Sequence, residues 1–387
     1  MIRRFLFILI LLLSQEAFAQ WNDWVDAETV RENLLKAQNE EVFYFSQYLL
    51  YDIRNDTNFH SSKFREKTKE TLYIYGLDFY YASGMFFDSA YKAVKRKNIV
   101  DVVKTQWREN KAIPSFSWHL ENPYVPSDFR KFMGCRYRNS IDVFGYPSEH
   151  KYVIGEILNK SGGICGFGRY KSKDDFSNVY PNPSEWFDAR TREVADIINE
   201  FVDDSGKPIP FVFRLWHEME DNWMWWGKSF VTPSEYKNFF ALTRKKIMGY
   251  APRAQILWAY CPDSYLDSEE KFMERYPGDE YVDIIGYDDY KIAKPKYRER
   301  EVKYARMVTK IAQEHGKVAA LFETSNSYRP TSETFFKDRL LPVLNDSLVN
   351  LGLVQMWASG LFENEAQYED RKFFLNQKNI LKIETGL

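Results

Sequence analysis

Arg214, His217 and Glu218 lie within one short stretch, and Trp223, Trp225 and Trp226 follow directly. A carboxyl group beside an imidazole and several indoles is equipped to cleave polysaccharide, because sugar rings stack on indole faces and a glycosidic oxygen needs a proton donor. Retaining glycoside hydrolysis needs two carboxyl groups about 5–5.5 Å apart, one to attack the anomeric carbon and one to protonate the leaving oxygen. Glu323 is the matching second carboxylate, since both glutamates end apolar, β-rich runs. Glu218 is expected as acid/base and Glu323 as nucleophile.

The neighbours of these glutamates suggest supporting roles. Arg214 precedes Glu218 by four residues inside an apolar run. Strand alternation would point both to one face, and a buried cation needs a carboxylate partner. Glu323 is one candidate partner, since a nearby positive charge keeps a carboxylate ionised as a nucleophile; a remote structural ion pair is the other. His217-Glu218 begins a zinc-protease signature, but position 221 is Asp, so the second histidine is missing. His217 reads instead as a hydrogen-bonding group toward a sugar or the nucleophile, or as a packed structural histidine, and for His119, in Ser117-Trp118-His119, the packed structural reading is equally open. Tyr287 and Tyr290 flank Asp288-Asp289, so one tyrosine can hydrogen-bond the nucleophile. The Asp pair lacks the further oxygen ligands in loop spacing that calcium requires, and neither metal nor cofactor is expected. Trp223 and Trp226 are expected over the sugar, with at least one indole of the Trp223, Trp225 and Trp226 cluster serving only to pack.

The elements that must position these residues recur along the chain. Apolar runs at 41–46, 72–78, 112–119, 209–218, 255–261, 282–290, 318–325 and 353–359 each end in polar or aromatic residues. Between several of them lie segments with helical spacing, such as 183–204, a helix start at Thr232-Pro233-Ser234-Glu235, and 303–315. Eight such units predict a single (β/α)8 barrel, whose chemistry sits at the carboxyl ends of the strands. Those ends read Asp78, His119, Glu218, Asp263, the 287–290 stretch, Glu323 and Trp357. Glutamates a hundred positions apart can meet only because barrel closure gathers strand ends round one mouth.

Composition narrows the partner. A formal charge of −2, with Lys and Arg interspersed among Asp and Glu, excludes the concentrated basic surface of a nucleic-acid binder. Aromatic residues make up 17% of the chain, a surplus that carbohydrate stacking would use. Residues 1–19 read as a signal peptide: Arg3 and Arg4, then an apolar stretch of about nine residues, far short of the roughly twenty that span a bilayer, then Ala17-Phe18-Ala19. The mature domain is expected over 20–387, outside the cytoplasm and without membrane insertion. Cys135 and Cys165 could bridge in such a compartment, whereas Cys261 reads as a buried strand residue.

The chain resembles glycoside hydrolase family 26, a group dominated by β-mannanases, from about Glu41 to Ser359. The likeness rests on Tyr75-Gly76-Leu77-Asp78, Ser117-Trp118-His119, the strand from Phe213 to Glu218 with Trp223 to Gly227, Tyr276-Pro277-Gly278-Asp279, Tyr281 to Gly286, and Phe322-Glu323-Thr324. It implies a (β/α)8 fold, a retaining mechanism with the same two glutamates, and His119, His217, Trp223 and Tyr290 around the sugar. The sequence departs from the family at Leu215, at Glu220-Asp221, where a small Asn-Gly pair is usual, and at Ala358 after Trp357, departures that bear on the glycan taken. The expected activity is that of a monomeric endo-β-1,4-mannanase acting on mannan, glucomannan or galactomannan. The alternatives are hydrolysis of another β-glycan, such as β-1,3-xylan or mixed-linkage glucan, and glycan binding without cleavage on the same barrel.

Overall fold

The computed structural model describes residues 24–49, 71–83, 89–120, 153–159, 183–220, 224–264, 266–326, 332–357 and 365–383. Eight parallel strands form the centre: β1 (Phe43–Tyr48), β2 (Ile74–Asp78), β3 (Ile113–Ser117), β4 (Phe211–Arg214), β5 (Ile256–Tyr260), β6 (Ile284–Asp288), β7 (Val318–Glu323) and β8 (Leu353–Met356). Each pairs with its successor, and β8 pairs back onto β1 from Tyr44↔Leu353 to Gln47↔Met356, which closes the barrel. Every residue of the eight strands is buried, as expected where side chains fill the barrel on one face and meet helices on the other. The (β/α)8 fold and all eight expected runs are therefore present. A short β9 (Ile380–Leu381) adds to the start of β1 at Phe43↔Ile380, which the apolar-run pattern did not signal.

The longer surrounding helices are α1 (Ala27–Asn39), α2 (Ser89–Asn110), α3 (Pro183–Ile198), α4 (Pro233–Tyr250), α5 (Arg298–Glu314) and α6 (Glu365–Leu375). Helix α4 begins where its sequence indicates. Thr232 Oγ1 accepts from the Glu235 N–H, the Glu235 carboxylate accepts from the Thr232 N–H, and Pro233 occupies the first turn. Its buried face, Tyr236, Phe239, Phe240, Thr243 and Ile247, packs beneath the residues that follow β4.

Two departures from regular strand geometry shape the barrel mouth. Strand β4 stops at Arg214, four residues short of Glu218. The β6–β7 register shifts between Tyr287 and Asp288, so Asp288 comes opposite Glu323. Such an irregularity re-aims side chains at a strand end. Close packing just below it requires Gly286: a Cβ there would lie 2.5 Å from the Phe322 ring and 2.9 Å from the Ala320 carbonyl oxygen. Gly286→Ala is expected to lower stability by about 1–3 kcal/mol in urea unfolding, as overpacked core sites do. An unchanged unfolding midpoint would show that the β6–β7 contact is looser than described.

Candidate active site

Beyond Arg214 the chain turns sharply. Trp216 and Glu218 both adopt left-handed backbone, with φ of 50° and 54°, a conformation that non-glycine residues hold only when their surroundings over-determine it. Those surroundings come from the core. The Trp216 carbonyl accepts from the Tyr236 hydroxyl at 2.9 Å, and its indole N–H donates to Thr243 Oγ1 at 3.0 Å, so α4 grips this residue twice. The His217 carbonyl accepts from the Trp226 indole at 2.8 Å, and the Glu218 N–H donates to the Cys261 carbonyl at 2.9 Å. Strand alternation therefore does not align Glu218 with Arg214; a strained turn delivers Glu218 to the mouth.

Arg214 lies at the centre. Its guanidinium is 1% exposed, and it bridges Asp288 through Nη1 and Glu323 through Nη2. Burial alone would push its pKa down, but the two carboxylates more than offset this and hold it well above the usual arginine value. Of the two partners considered from sequence, Glu323 is the one found, with Asp288 as an unforeseen second. The other Glu323 oxygen accepts from the Tyr290 hydroxyl at 2.5 Å. Burial, and then the adjacent Glu323, push the Tyr290 phenol well up, so it remains an O–H donor. Both oxygens of Glu323 thus receive donors, which fixes its orientation.

Glu218 is in a different setting. It is buried, and desolvation followed by the charges of Asp288, Asp263, Glu323 and Glu220 pushes its carboxyl well above the usual range. Environments that favour a proton on one carboxyl and anchor donors on the other are those that divide acid from nucleophile.

The remaining wall is aromatic and imidazole. Asp78 accepts from Ser117 Oγ at 2.7 Å and from the Tyr80 N–H at 2.7 Å, and it pairs with His119 Nδ1. The His119 ring meets His217 edge-on at 4.7 Å and lies 6.1 Å from Trp357. Trp357 packs on Tyr48 at 4.4 Å and stays partly exposed at the mouth. Both ring nitrogens of His217 are buried without a partner among the described residues, and burial, then Arg214 and His119, push its pKa well below 6.5. It is a neutral imidazole with free hydrogen-bonding capacity facing its neighbours. His217, Glu218 and Asp288 offer ligand atoms within 4.8 Å of one another. Asp288, however, is already committed to Arg214 and to the Cys261 thiol at 3.2 Å, and a bonded guanidinium opposes a second cation there. Asp289 likewise spends Oδ1 on the Lys291 and Ile292 N–H groups, as an Asx turn does.

The site brings together Arg214, His217, Glu218, Tyr290, Glu323, His119 and Trp357. Trp223, Cys135, Cys165, residues 1–19 and most of the stretch at 120–182 lie outside the described residues. Trp226 is a correction. It is fully buried against Trp216 and Trp225, its N–H spent on the His217 carbonyl, so it supports the turn from behind and has no face to offer a sugar. The other described indoles are mostly interior as well. Among the described tryptophans, Trp24, Trp107, Trp118, Trp186, Trp216, Trp225, Trp226 and Trp258 are buried, and only Trp357 reaches the mouth. Tyr287 is fully buried beside Tyr304, leaving Tyr290 as the tyrosine on Glu323. Sequence reasoning missed Asp288 as the second arm of the Arg214 bridge, and it missed Tyr48 and Ser117 beside Asp78. Asp288 was signalled only as part of a polar strand end.

Two buried carboxyl groups, Glu218 in the turn beyond β4 and Glu323 at the end of β7, thus lie at the mouth of a closed (β/α)8 barrel. Residues 166–338 match the family described as Glycosyl hydrolase family 26. A mannan endo-1,4-beta-mannosidase of Bifidobacterium adolescentis is 26% identical over 225 residues, covering 53% of this chain and 22% of the relative. One from Bacillus subtilis strain 168 is 27% identical over 243 residues, covering 59% and 53%. The chain thus spans about a fifth and about half of the lengths of these curated relatives. Among solved structures, the GH26 beta-mannanase of Bacteroides ovatus superposes with a TM-score of 0.68 at 20% identity, covering 92% of this chain and 94% of that one. The modular endo-beta-1,4-mannanase of Cellulomonas fimi gives 0.72 at 19% identity, covering 94% and 76%. The chain is therefore a (β/α)8 protein similar over residues 166–338 to Glycosyl hydrolase family 26, and the two curated relatives named here are mannan endo-1,4-beta-mannosidases.

Two outcomes follow from the geometry. Arg214→Met would leave Asp288 and Glu323 buried without their cation and is expected to reduce stability by about 3–5 kcal/mol in chemical denaturation; a loss under 1 kcal/mol would mean that the bridge is not formed. His217 is neutral when folded and takes a proton near pH 6.5 when unfolded, so its contribution is fully present above 6.5 and is lost as pH falls below it. His217→Gln should flatten the stability profile below about pH 6.5 relative to the parent, and identical profiles would contradict the buried, uncharged imidazole.

Proposed function

We propose that the protein is a retaining endo-β-1,4-mannanase acting on mannan, glucomannan or galactomannan. The observation that carries this reading is the contrast between Glu218, buried among negative charges, and Glu323, held by Arg214 and Tyr290. In the first step Glu323 attacks the anomeric carbon while Glu218 gives its proton to the departing glycosidic oxygen, forming a glycosyl ester. In the second step Glu218 takes a proton from water, which attacks the same carbon and releases Glu323 with configuration retained. His119, His217, Trp357 and, outside the described residues, Trp223 would line the sugar. The mannan endo-1,4-beta-mannosidases among the relatives support the choice of glycan.

The protein would act outside the cytoplasm, as a secreted or periplasmic monomer. The apolar segment before Ala17-Phe18-Ala19 motivates export, and among the described residues no helix is long and apolar enough to cross a membrane. Side-by-side reducing-sugar assays on mannan, β-1,3-xylan and lichenan test the substrate. Release from mannan alone, with Glu218→Ala slowed about 10²–10⁴-fold and Glu323→Ala inactive, is expected. Preferential release from xylan or lichenan would point to the other β-glycans. Binding of manno-oligosaccharide with no product, unchanged by Glu218→Ala, would point to a glycan-binding protein.

A further inference from the structure

Glu220 lies two residues beyond Glu218 and is 5% exposed. Its Oε1 accepts from the backbone N–H of Asp263, just past β5, while its Oε2 is buried with no partner among the described residues. Tyr236, Tyr260 and Tyr304 are close enough to feel its charge, yet their hydroxyls are spent on the carbonyls of Trp216, Phe272 and Asp263. Burial, and then the neighbouring charge of Asp263, push the Glu220 carboxyl pKa well above the usual range.

The Asp263 peptide that Glu220 grips is itself the start of a chain of backbone bonds. Its carbonyl accepts from the Tyr304 hydroxyl at 2.9 Å, so side chains hold Asp263 at both its N–H and its C=O. From there the Asp288 N–H donates to the Pro262 carbonyl and the Ser264 N–H to the Asp288 carbonyl, each at 2.9 Å, and the Asp289 N–H donates to the Glu323 carbonyl at 2.7 Å. The strained turn that carries Glu218 joins this rim at two points, the Glu218 N–H on Cys261 and the Glu220 carboxyl on Asp263.

We propose that Glu220 is a positioning residue for Glu218, a side-chain latch that ties the left-handed turn to a hydrogen-bonded rim running through Asp263 and Asp288 to Glu323. The latch sets where the acid stands relative to the nucleophile. It rests on the mannanase reading for the acid's role, and on structure alone for the tether. A carboxyl that acts by accepting one N–H is replaced closely by an amide, which also offers a carbonyl oxygen, and poorly by a side chain without an acceptor.

The test uses the full chain with Glu220→Gln, Glu220→Ala and, where the cavity prevents folding, Glu220→Met. Each is assayed on manno-oligosaccharide and on a dinitrophenyl β-mannoside, whose leaving group departs without a proton. Expected is a fall of about 10-fold or more in kcat/KM on the oligosaccharide for Glu220→Ala, with less than about 3-fold on the activated glycoside, since a misplaced acid harms only the step that needs it. Glu220→Gln should stay within about 3-fold of the parent on both, with its pH profile in place. Hydrogen exchange over residues 215–220, which needs no substrate, should quicken in Glu220→Ala and not in Glu220→Gln. Equal losses on both substrates, a Gln variant as poor as Ala, or unchanged exchange would overturn the latch. A parent protein that cleaves neither substrate would overturn the mannanase reading alone, and the exchange measurement would still decide the tether.

Discussion

Arg214 is the constraint from which the rest of the mouth follows. A guanidinium taken out of water this far is tolerable only with full carboxylate pairing, and the barrel supplies Asp288 from β6 and Glu323 from β7. The shift of register between Tyr287 and Asp288 brings those two residues opposite each other, which lets one planar cation serve both. Tyr290, just past the same strand, completes the hold on Glu323. Once Glu323 is fixed in this way, the negative charge gathered around Arg214 falls on Glu218, and that charge together with burial favours a proton there. One cation therefore anchors the nucleophile candidate, and its carboxylate partners favour a proton on the acid.

The turn bearing Glu218 shows how packing sustains an unfavourable backbone. Two left-handed non-glycine residues cost of order 1–3 kcal/mol each, and the core answers with directed bonds from Tyr236, Trp226 and the Trp216–Thr243 pair. The tryptophans behind the turn thus support the backbone that carries Glu218. Their ring contacts, from Trp118 on Trp216 at 5.2 Å to Trp216 on Phe239 at 4.7 Å, form a stiff floor that a smaller apolar core would not provide.

Much of this was legible in the residues. The eight apolar runs predict the eight strands because buried parallel strands are apolar on consecutive positions, and Thr232-Pro233-Ser234-Glu235 marks a helix start by local hydrogen-bonding chemistry alone. The need to neutralise a buried cation made Glu323 one of two candidate partners for Arg214, and the structure selects it. What could not be read was anything set by geometry between strands. The end of β4 at Arg214 and the turn after it depend on tertiary bonds to α4 and Cys261, so alternation placed Glu218 for the wrong reason. Asp288 became a partner of Arg214 only through a register shift that no local pattern encodes. An indole's duty is also invisible in composition: Trp226 and Trp357 look alike in sequence, yet one is a buried prop and the other stands at the mouth.

The account turns on Glu323 being the group that attacks carbon while Glu218 manages the proton. Incubation with an activated 2-deoxy-2-fluoro-mannoside, followed by proteolysis and mass spectrometry, tests this most directly, because the fluorine slows hydrolysis of the glycosyl ester enough for it to accumulate. The account predicts one covalent sugar per chain, carried on the peptide containing Glu323 and absent from a Glu323→Gln variant. A label on Glu218 or on another carboxylate, or turnover of the activated substrate by the Glu323→Gln variant at the parental rate, would contradict it.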